Sequence, residues 1–308
     1  MIETIKYYYD IAITDYKNYN STYFFSWNQN FFCFTLFEYE INDFKRVIEL
    51  TKRLKSFRIN YHDIILNRFG QIISDYNNKK YILFKMCEDF SKEILVWDMI
   101  KINSQISLLG NIKEKYSNNW KFLWENKINY FETQIKELAK EKENVLNTFS
   151  YYVGLGECAI QYISKVEEKY FINESSEITV CHRRIFFPNY SLNYFNPLSI
   201  IIDLEIRDYS EYFKTLFFNG IDIKDEFVSF FKTKKFSDYS YNMFFARLLF
   251  PTYYFDIYEK TLQNIIEQES NIEVLKYKSD YETFLRFAYN EINKYSSLEK
   301  IEWINNCL

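Results

Sequence analysis

EITVCHRRIFFPNYSLNYFNPLSIIIDLEIRD, residues 177–208, is the stretch whose reading decides the fold. A β-like run ends at His182, and His182 to Asn189 form an eight-residue loop. After Asn196-Pro197 a second apolar run, Leu198–Ile202, ends at Asp203. Branched and aromatic residues bounded by Asn, Pro and Ser are the marks of short strands and turns. Asn189 and Asp203 are fourteen residues apart, a separation that a short hairpin can close. Both carry the oxygen donors that a hard cation takes. Arg184, inside the loop, is protonated at any physiological pH and cannot accept a proton.

Outward from this stretch, composition bounds the protein class. The 308 residues carry 38 basic and 42 acidic side chains, for a net charge of −4, so the chain as a whole has no basic footprint for nucleic acid. A hydrophobic fraction of 48% with 26% charged residues is that of a folded globular chain. Aromatic residues make up 21%, against 5 Gly and 3 Pro. Abundant Phe, Tyr, Ile, Asn and Lys share AT-rich codons, so the aromatic content by itself carries no functional claim. Cys33, Cys87, Cys158, Cys181 and Cys307 are scattered and odd in number, which argues against structural zinc or a disulfide framework and fits a reducing compartment. The first residues, MIETIKYYYDIAITD, lack a basic region followed by an apolar run, and no stretch approaches a membrane span. A soluble protein, cytoplasmic when synthesised, is expected.

The texture of the chain changes near residue 87. Before it, TYFFSWNQNFFCFTLFEYE (22–40) reads as two strands around W-N-Q-N, and NDFKRVIELTKRLKS (42–56) as an amphipathic helix. DIILNRFGQIISD (63–75) and KYILFKM (80–86) read as a second hairpin. His62 is expected at a loop or strand edge without chemistry. Beyond residue 87 the pattern is helical. In residues 118–150, Trp120, Trp124, Ile128, Phe131, Ile135, Leu138, Val145 and Phe149 form one stripe, the mark of a core-facing helix or helix pair. Trp124, Phe131, Leu138 and Val145 are also seven apart, which leaves a coiled coil as the alternative. A second helix is expected over 151–170, where Gly154 and Gly156 suit close helix packing better than a phosphate loop. Lys232–Lys235 reads as a solvated helix end, and further amphipathic helices fill the chain beyond residue 200.

Phosphotransferases of the kinase type have H-x-D-x-x-x-x-N in a loop, with the Asp as base and the Asn on metal, and the next strand brings an Asp to Mg²⁺. H-R-R-I-F-F-P-N (182–189) followed by I-I-I-D-L-E (200–205) is similar to that order, with Arg184 where the base would be. FFCFTLF (31–37) lacks the strand lysine that would hold phosphates, and no glycine precedes Gly70. Losing a general base costs on the order of 10²–10⁴ in rate. IILNRFGQIISDYNNKKYILFKM (64–86) resembles the paired strands before a kinase hinge, and ARLLFPTYYFDIYE (246–259) a stretch of one branch of the family named next. Over most of its length the chain resembles the kinase-like spore coat proteins of Firmicutes, the CotS/YutH group. That group shares the aminoglycoside phosphotransferase and choline kinase fold.

The resemblance implies an α+β, two-lobed protein-kinase-like fold: a small β-rich N-terminal lobe, 1–86, and a larger, mainly helical C-terminal lobe, 87–308, with a degenerate catalytic loop. By position Asn189 and Asp203 match metal ligands, Arg184 replaces the base, and Glu205 matches the acid after the Asp. Read from the residues, His182 is a buried histidine that organises the loop. Asp203 either caps the following turn, pairs with Arg184 or Arg207, or holds metal. The expected function is that of a non-catalytic pseudokinase, a structural or assembly component of the endospore coat. No catalytic residue or cofactor is expected, and other coat proteins are its expected partners. The alternative is an Mg-ATP-dependent small-molecule phosphotransferase, and a third reading keeps nucleotide as a regulatory ligand without turnover.

Overall fold

The computed structural model describes residues 1–19, 22–37, 41–87, 91–106, 119–138, 143–170, 177–262 and 278–305. The chain divides into two compact units: residues 1–110 with 182–201, and residues 111–181 with 202–308. This division follows contacts rather than the change of texture at residue 87.

The first unit is built on an antiparallel sheet. After a short helix α1 (Ile2–Tyr9) come β1 (Lys17–Tyr19), β2 (Thr22–Trp27) and β3 (Asn30–Leu36). Helix α2 (Ile41–Ser56) follows, then β4 (Asp63–Ile65), β5 (Ile73–Tyr76) and β6 (Lys79–Lys85). The strand order is β1-β2-β3-β6-β4, with β5 also paired to β6. Both expected hairpins form. Their turns, Asn28-Gln29 and Asn77-Asn78, have positive φ at both residues (47° and 61°; 50° and 59°). That is the requirement of a two-residue hairpin whose twist matches its strands, and asparagine tolerates it better than most residues. The run 63–75, read above as one strand, is two. Gly70, with φ of 72°, sits between them in the left-handed region that glycine adopts freely.

Alternation along β3 and β6 sends side chains to both faces of this sheet. Phe32, Phe34, Tyr81 and Leu83 pack with Ile5, Ile11, Ile13 and Phe25 on one side. Cys33, Ile82, Phe84 and Met86 pack on the other with Phe37 and with Leu198, which returns from the 182–201 segment. Burying both faces explains why β3 and β6 read as continuous apolar runs. Helix α3 (Val96–Ile106) also belongs to this unit, with Val96, Met99 and Ile106 buried.

The second unit is helical apart from a ribbon. Helices α4 (Trp120–Leu138) and α5 (Glu143–Lys169) precede β7 (Ile178–His182), which ends the run into the first unit. After α6 (Ser191–Tyr194) in the first unit, β8 (Ile200–Leu204) pairs with β7 and leads back. Helices α7 (Ile206–Phe218), α8 (Lys224–Thr233), α9 (Asp238–Leu249), α10 (Thr252–Leu262), α11 (Lys278–Ile292) and α12 (Glu302–Asn305) complete it. None of the described helices is long and apolar enough to cross a membrane.

The stripe over 118–150 belongs to a helix pair, and α5 runs unbroken through the segment read above as a separate helix. Trp124 stacks on Phe250 with centroids 4.3 Å apart, and Phe131 on Phe255 at 5.1 Å, so the stripe is used inside the unit rather than in a coiled coil. The side chains of Leu138 and Val145 lie outside the described residues. Gly156 is a packing glycine, because a Cβ there would lie 2.9 Å from Ile128 Cδ1. Much of the aromatic content is spent in this core. Phe213, Phe227, Phe230, Phe231 and Phe244 are fully buried, with Phe213–Phe227 and Phe231–Phe244 edge-to-face at 5.0 Å. Each such side chain contributes about 1.5–3 kcal/mol by burial, and favourable ring geometry about 0.5–1.5 more.

Candidate functional site

The His182–Asn189 loop is held within the first unit by backbone pairing. Ile94 N–H donates to the Asn189 carbonyl (2.8 Å), Ser191 N–H to the Lys92 carbonyl (2.7 Å), and Glu93 and Tyr190 form a bridge. Asn189 joins this zipper with its side chain, whose Nδ2 donates to the Ile94 carbonyl at 2.9 Å. That acceptor sets the amide's orientation and turns Oδ1 away, buried and with no hydrogen-bond donor. His182 is buried against aromatic rings, its centroid 4.2 Å from Tyr194 and 6.2 Å from Tyr61. The peptide Phe187–Pro188 is cis. Arg184 is partly exposed.

His62 has a larger structural part than an edge residue. It is buried, its backbone N–H donates to the Phe195 carbonyl (3.0 Å), and its ring Nε2 lies 3.2 Å from the Leu192 carbonyl. Nε2 must be the donor there, which leaves Nδ1 to accept from the Cys87 N–H at 3.3 Å. The ring thus ties β6's exit to the returning loop. Burial pushes the imidazole down to about 4, against the opposing pull of the Leu192 and Ser191 carbonyls. A folded value below the unfolded ~6.5 means that the unfolded chain binds the proton more readily. The stabilisation is therefore complete above pH 6.5 and is lost as pH falls towards 4, by about 3 kcal/mol in all. Urea unfolding at pH 7 and pH 4.5 is expected to show this loss in the wild type and a flatter dependence in His62→Gln. Equal slopes would remove His62 as the cause.

In the second unit, Asp203 is the penultimate residue of β8, shortly before α7, and both of its carboxylate oxygens accept hydrogen bonds. Oδ2 accepts from Arg207 Nη1 at 2.7 Å and from Trp120 Nε1 at 3.0 Å, and Oδ1 from the Leu204 N–H at 2.8 Å. Of the partners weighed above, Arg207, one turn along α7, is the one on Asp203. Burial alone would lower the Arg207 guanidinium, but the Asp203 and Glu211 carboxylates hold it above its ordinary value. Glu205, the matched acid, accepts from Tyr209 Oη at 2.7 Å and pairs with Lys234 Nζ at 2.7 Å. Lys234 is therefore not part of a merely solvated helix end, because α8 closes by turning it onto the acid that follows β8.

A buried charge network not anticipated from the sequence lies behind Asp203. Glu211 on α7 accepts from Arg247 Nη2 at 2.6 Å and Lys214 Nζ at 3.3 Å. Lys214 also donates to the Phe250 carbonyl (3.0 Å) and Thr252 Oγ1 (3.2 Å). Arg247 lies over the Trp120 ring, 4.5 Å from its centroid, so Trp120 serves the stripe, the carboxylate and a cation at once. Burial, then repulsion from Arg207, lowers the Arg247 guanidinium, and Glu211 and Asp203 oppose that. Glu211 and Lys214 stand three apart on α7, a spacing at which side chains of a helix meet, and Arg207 follows Asp203 by four residues across the end of β8. Arg247, thirty-six residues beyond Glu211, gave no such signal.

With the sheet, the ribbon and the site residues placed, the class follows. The fold is that of the aminoglycoside phosphotransferase-like kinases. It resembles an aminoglycoside phosphotransferase from Alicyclobacillus acidocaldarius with a TM-score of 0.65 and 10% identity, over 95% of this chain and 96% of that one. It also resembles a spectinomycin phosphotransferase in complex with ADP and spectinomycin, with a TM-score of 0.61 and 14% identity, over 94% and 97%. A microcompartment-associated aminopropanol kinase is similar with a TM-score of 0.59 and 9% identity, over 95% and 96%. The chain belongs to the family described as the spore coat putative kinase YutH, whose model matches residues 2–288. The endospore coat-associated protein YutH of Bacillus subtilis is 23% identical to it, over 98% of this chain and 97% of that protein.

Neighbours of this fold bind nucleotide, which makes Mg-ATP a cofactor to weigh against the donors present. Asn189 offers an unpartnered oxygen. Asp203 does not, since all three of its hydrogen bonds would compete with a cation and its guanidinium partner is charged. The carboxylate as arranged does not fit a metal ligand.

Proposed function

We propose that this chain is a non-catalytic, kinase-like component of the endospore coat, made in the cytoplasm and acting through its surfaces on other coat proteins. The observation that carries the non-catalytic part is the Asp203 carboxylate, closed by Arg207, Trp120 and the Leu204 amide. The proton-accepting position holds Arg184, and β3 has no lysine. Family membership and the Bacillus subtilis relative support the coat assignment.

Thermal melting of the full chain with and without millimolar Mg-ATP tests the reading. No shift is expected. A ligand present at a hundred times its Kd would add about 2.7 kcal/mol, which is several degrees and readily seen. A shift that Asp203→Asn abolishes would overturn the proposal in favour of a nucleotide-dependent protein, either a phosphotransferase or a sensor. Coat fractionation of spores carrying a tagged copy tests the location, and absence from the coat fraction would contradict it.

A further inference from the structure

Helix α5 carries a glycine that packing does not explain. A Cβ at Gly154 would meet nothing within 4 Å, unlike one at Gly156. A glycine inside a helix is destabilising relative to alanine, so an open glycine there needs another reason. Gly154 is exposed, and the space beside it is a pocket of about 580 Å³ open at the surface of the helical unit, lined by residues of α5, α11 and α12 that include Tyr151, Cys158, Glu282, Arg286 and Trp303. That volume lies in the range of small-molecule sites, roughly 300–1,000 Å³.

The charged groups of this cavity are not used on each other. Glu282 and Arg286 stand at i and i+4 on α11, in the order that favours an ion pair on a helix. Glu282 instead accepts a hydrogen bond from Tyr151 Oη at 2.7 Å. Burial and the Glu282 carboxylate push the Tyr151 phenol up, which keeps it a donor. Arg286 makes no ion pair among the described residues, and its Nε is buried without a hydrogen-bond partner. An orphaned buried donor carries a desolvation penalty that a bound acceptor would remove. Cβ atoms four apart on a helix are about 5–6 Å from each other, a spacing that an ammonium and a carboxylate on one carbon can bridge.

We propose that the Gly154 cavity binds a small zwitterion of the α-amino acid class with an aromatic or large apolar side chain. Its carboxylate lies on Arg286, its ammonium on Glu282, and its side chain against Trp303 in the space that Gly154 leaves open. This site is independent of the reading of Asp203.

Calorimetric titration of the full chain with L-phenylalanine, 3-phenylpropionate and phenethylamine tests it. L-phenylalanine is expected to bind saturably, and each single-charge analogue at least about tenfold more weakly, equivalent to about 1.4 kcal/mol. Gly154→Leu is expected to keep its melting temperature and lose binding, because the new side chain fills the cavity without meeting the backbone. Arg286→Gln is expected to weaken L-phenylalanine by about tenfold while leaving phenethylamine unchanged. Absence of saturable L-phenylalanine binding by the wild type at millimolar concentration would overturn the proposal. So would undiminished binding by Gly154→Leu, or analogues that bind as well as the amino acid.

Discussion

Asp203→Ala is expected to lower stability by roughly 3–5 kcal/mol, the range for removing one partner of a buried ion pair. The reason is what remains. Arg207 keeps its charge with its side chain only 13% exposed, and the Trp120 indole N–H loses its acceptor. An orphaned buried donor alone costs about 1–3 kcal/mol. Asp203→Asn keeps an oxygen for Trp120 and is expected to lose less. Replacing the pair together, as Asp203→Leu with Arg207→Met, is expected to recover part of the loss, because no charge is then stranded. Urea unfolding monitored by circular dichroism measures all three. A carboxylate kept only to hold a metal would give the opposite result, with stability unchanged or raised when it is removed. A loss below about 1 kcal/mol would therefore displace the structural assignment.

Glu211→Ala is expected to be at least as damaging, at about 3–5 kcal/mol or above, because a single carboxylate serves two buried cations. Arg247 and Lys214 have side chains 4% and 2% exposed, and both donate to Glu211 Oε1. Lys214 would retain the Phe250 carbonyl and Thr252 hydroxyl, whereas Arg247 would be left over the Trp120 ring beside Arg207. The larger part of the loss is thus expected to trace to Arg247. Arg247→Met placed in the Glu211→Ala background is expected to restore stability, and failure to do so would show that the network is not what Glu211 supports. Thermal and urea unfolding of the two variants, each against wild type, give the comparison.

Asp203 and Glu211 differ in how far the sequence alone reveals them. Asp203 could be singled out from the chain because a β-like run ends on it, and its partner Arg207 follows at helical spacing. The hairpins were legible for a local reason as well: Asn-Gln and Asn-Asn pairs between aromatic runs suit the positive φ that both turns adopt. The split of 63–75 into β4 and β5 was marked only by Gly70, a weaker sign. Helix α5 was read as two because 118–150 and 151–170 each carry an apolar pattern, and periodicity does not show where one helix stops unless a cap or proline marks it.

His62, Asn189 and Lys234 were each visible as residue types, but their employment was not. His62 accepts its role from Leu192, 130 positions away, and Asn189 from Ile94, 95 positions away. Glu211 and Arg247 meet across two helices, and nothing in either helix alone requires it.

By itself, the order of residues determined the strand–loop–strand passage from Ile178 to Leu204, the amphipathic helices and the permanent positive charge that Arg184 carries in the loop. These follow from side-chain alternation, helical period and the fixed charge of a guanidinium, all of which act over a few residues. Only the tertiary structure decided what the ionisable groups do. Whether a buried carboxylate faces a cation or an arginine depends on which distant helices pack beside it. In a low-dielectric interior that choice, more than the identity of Asp203, sets its chemistry.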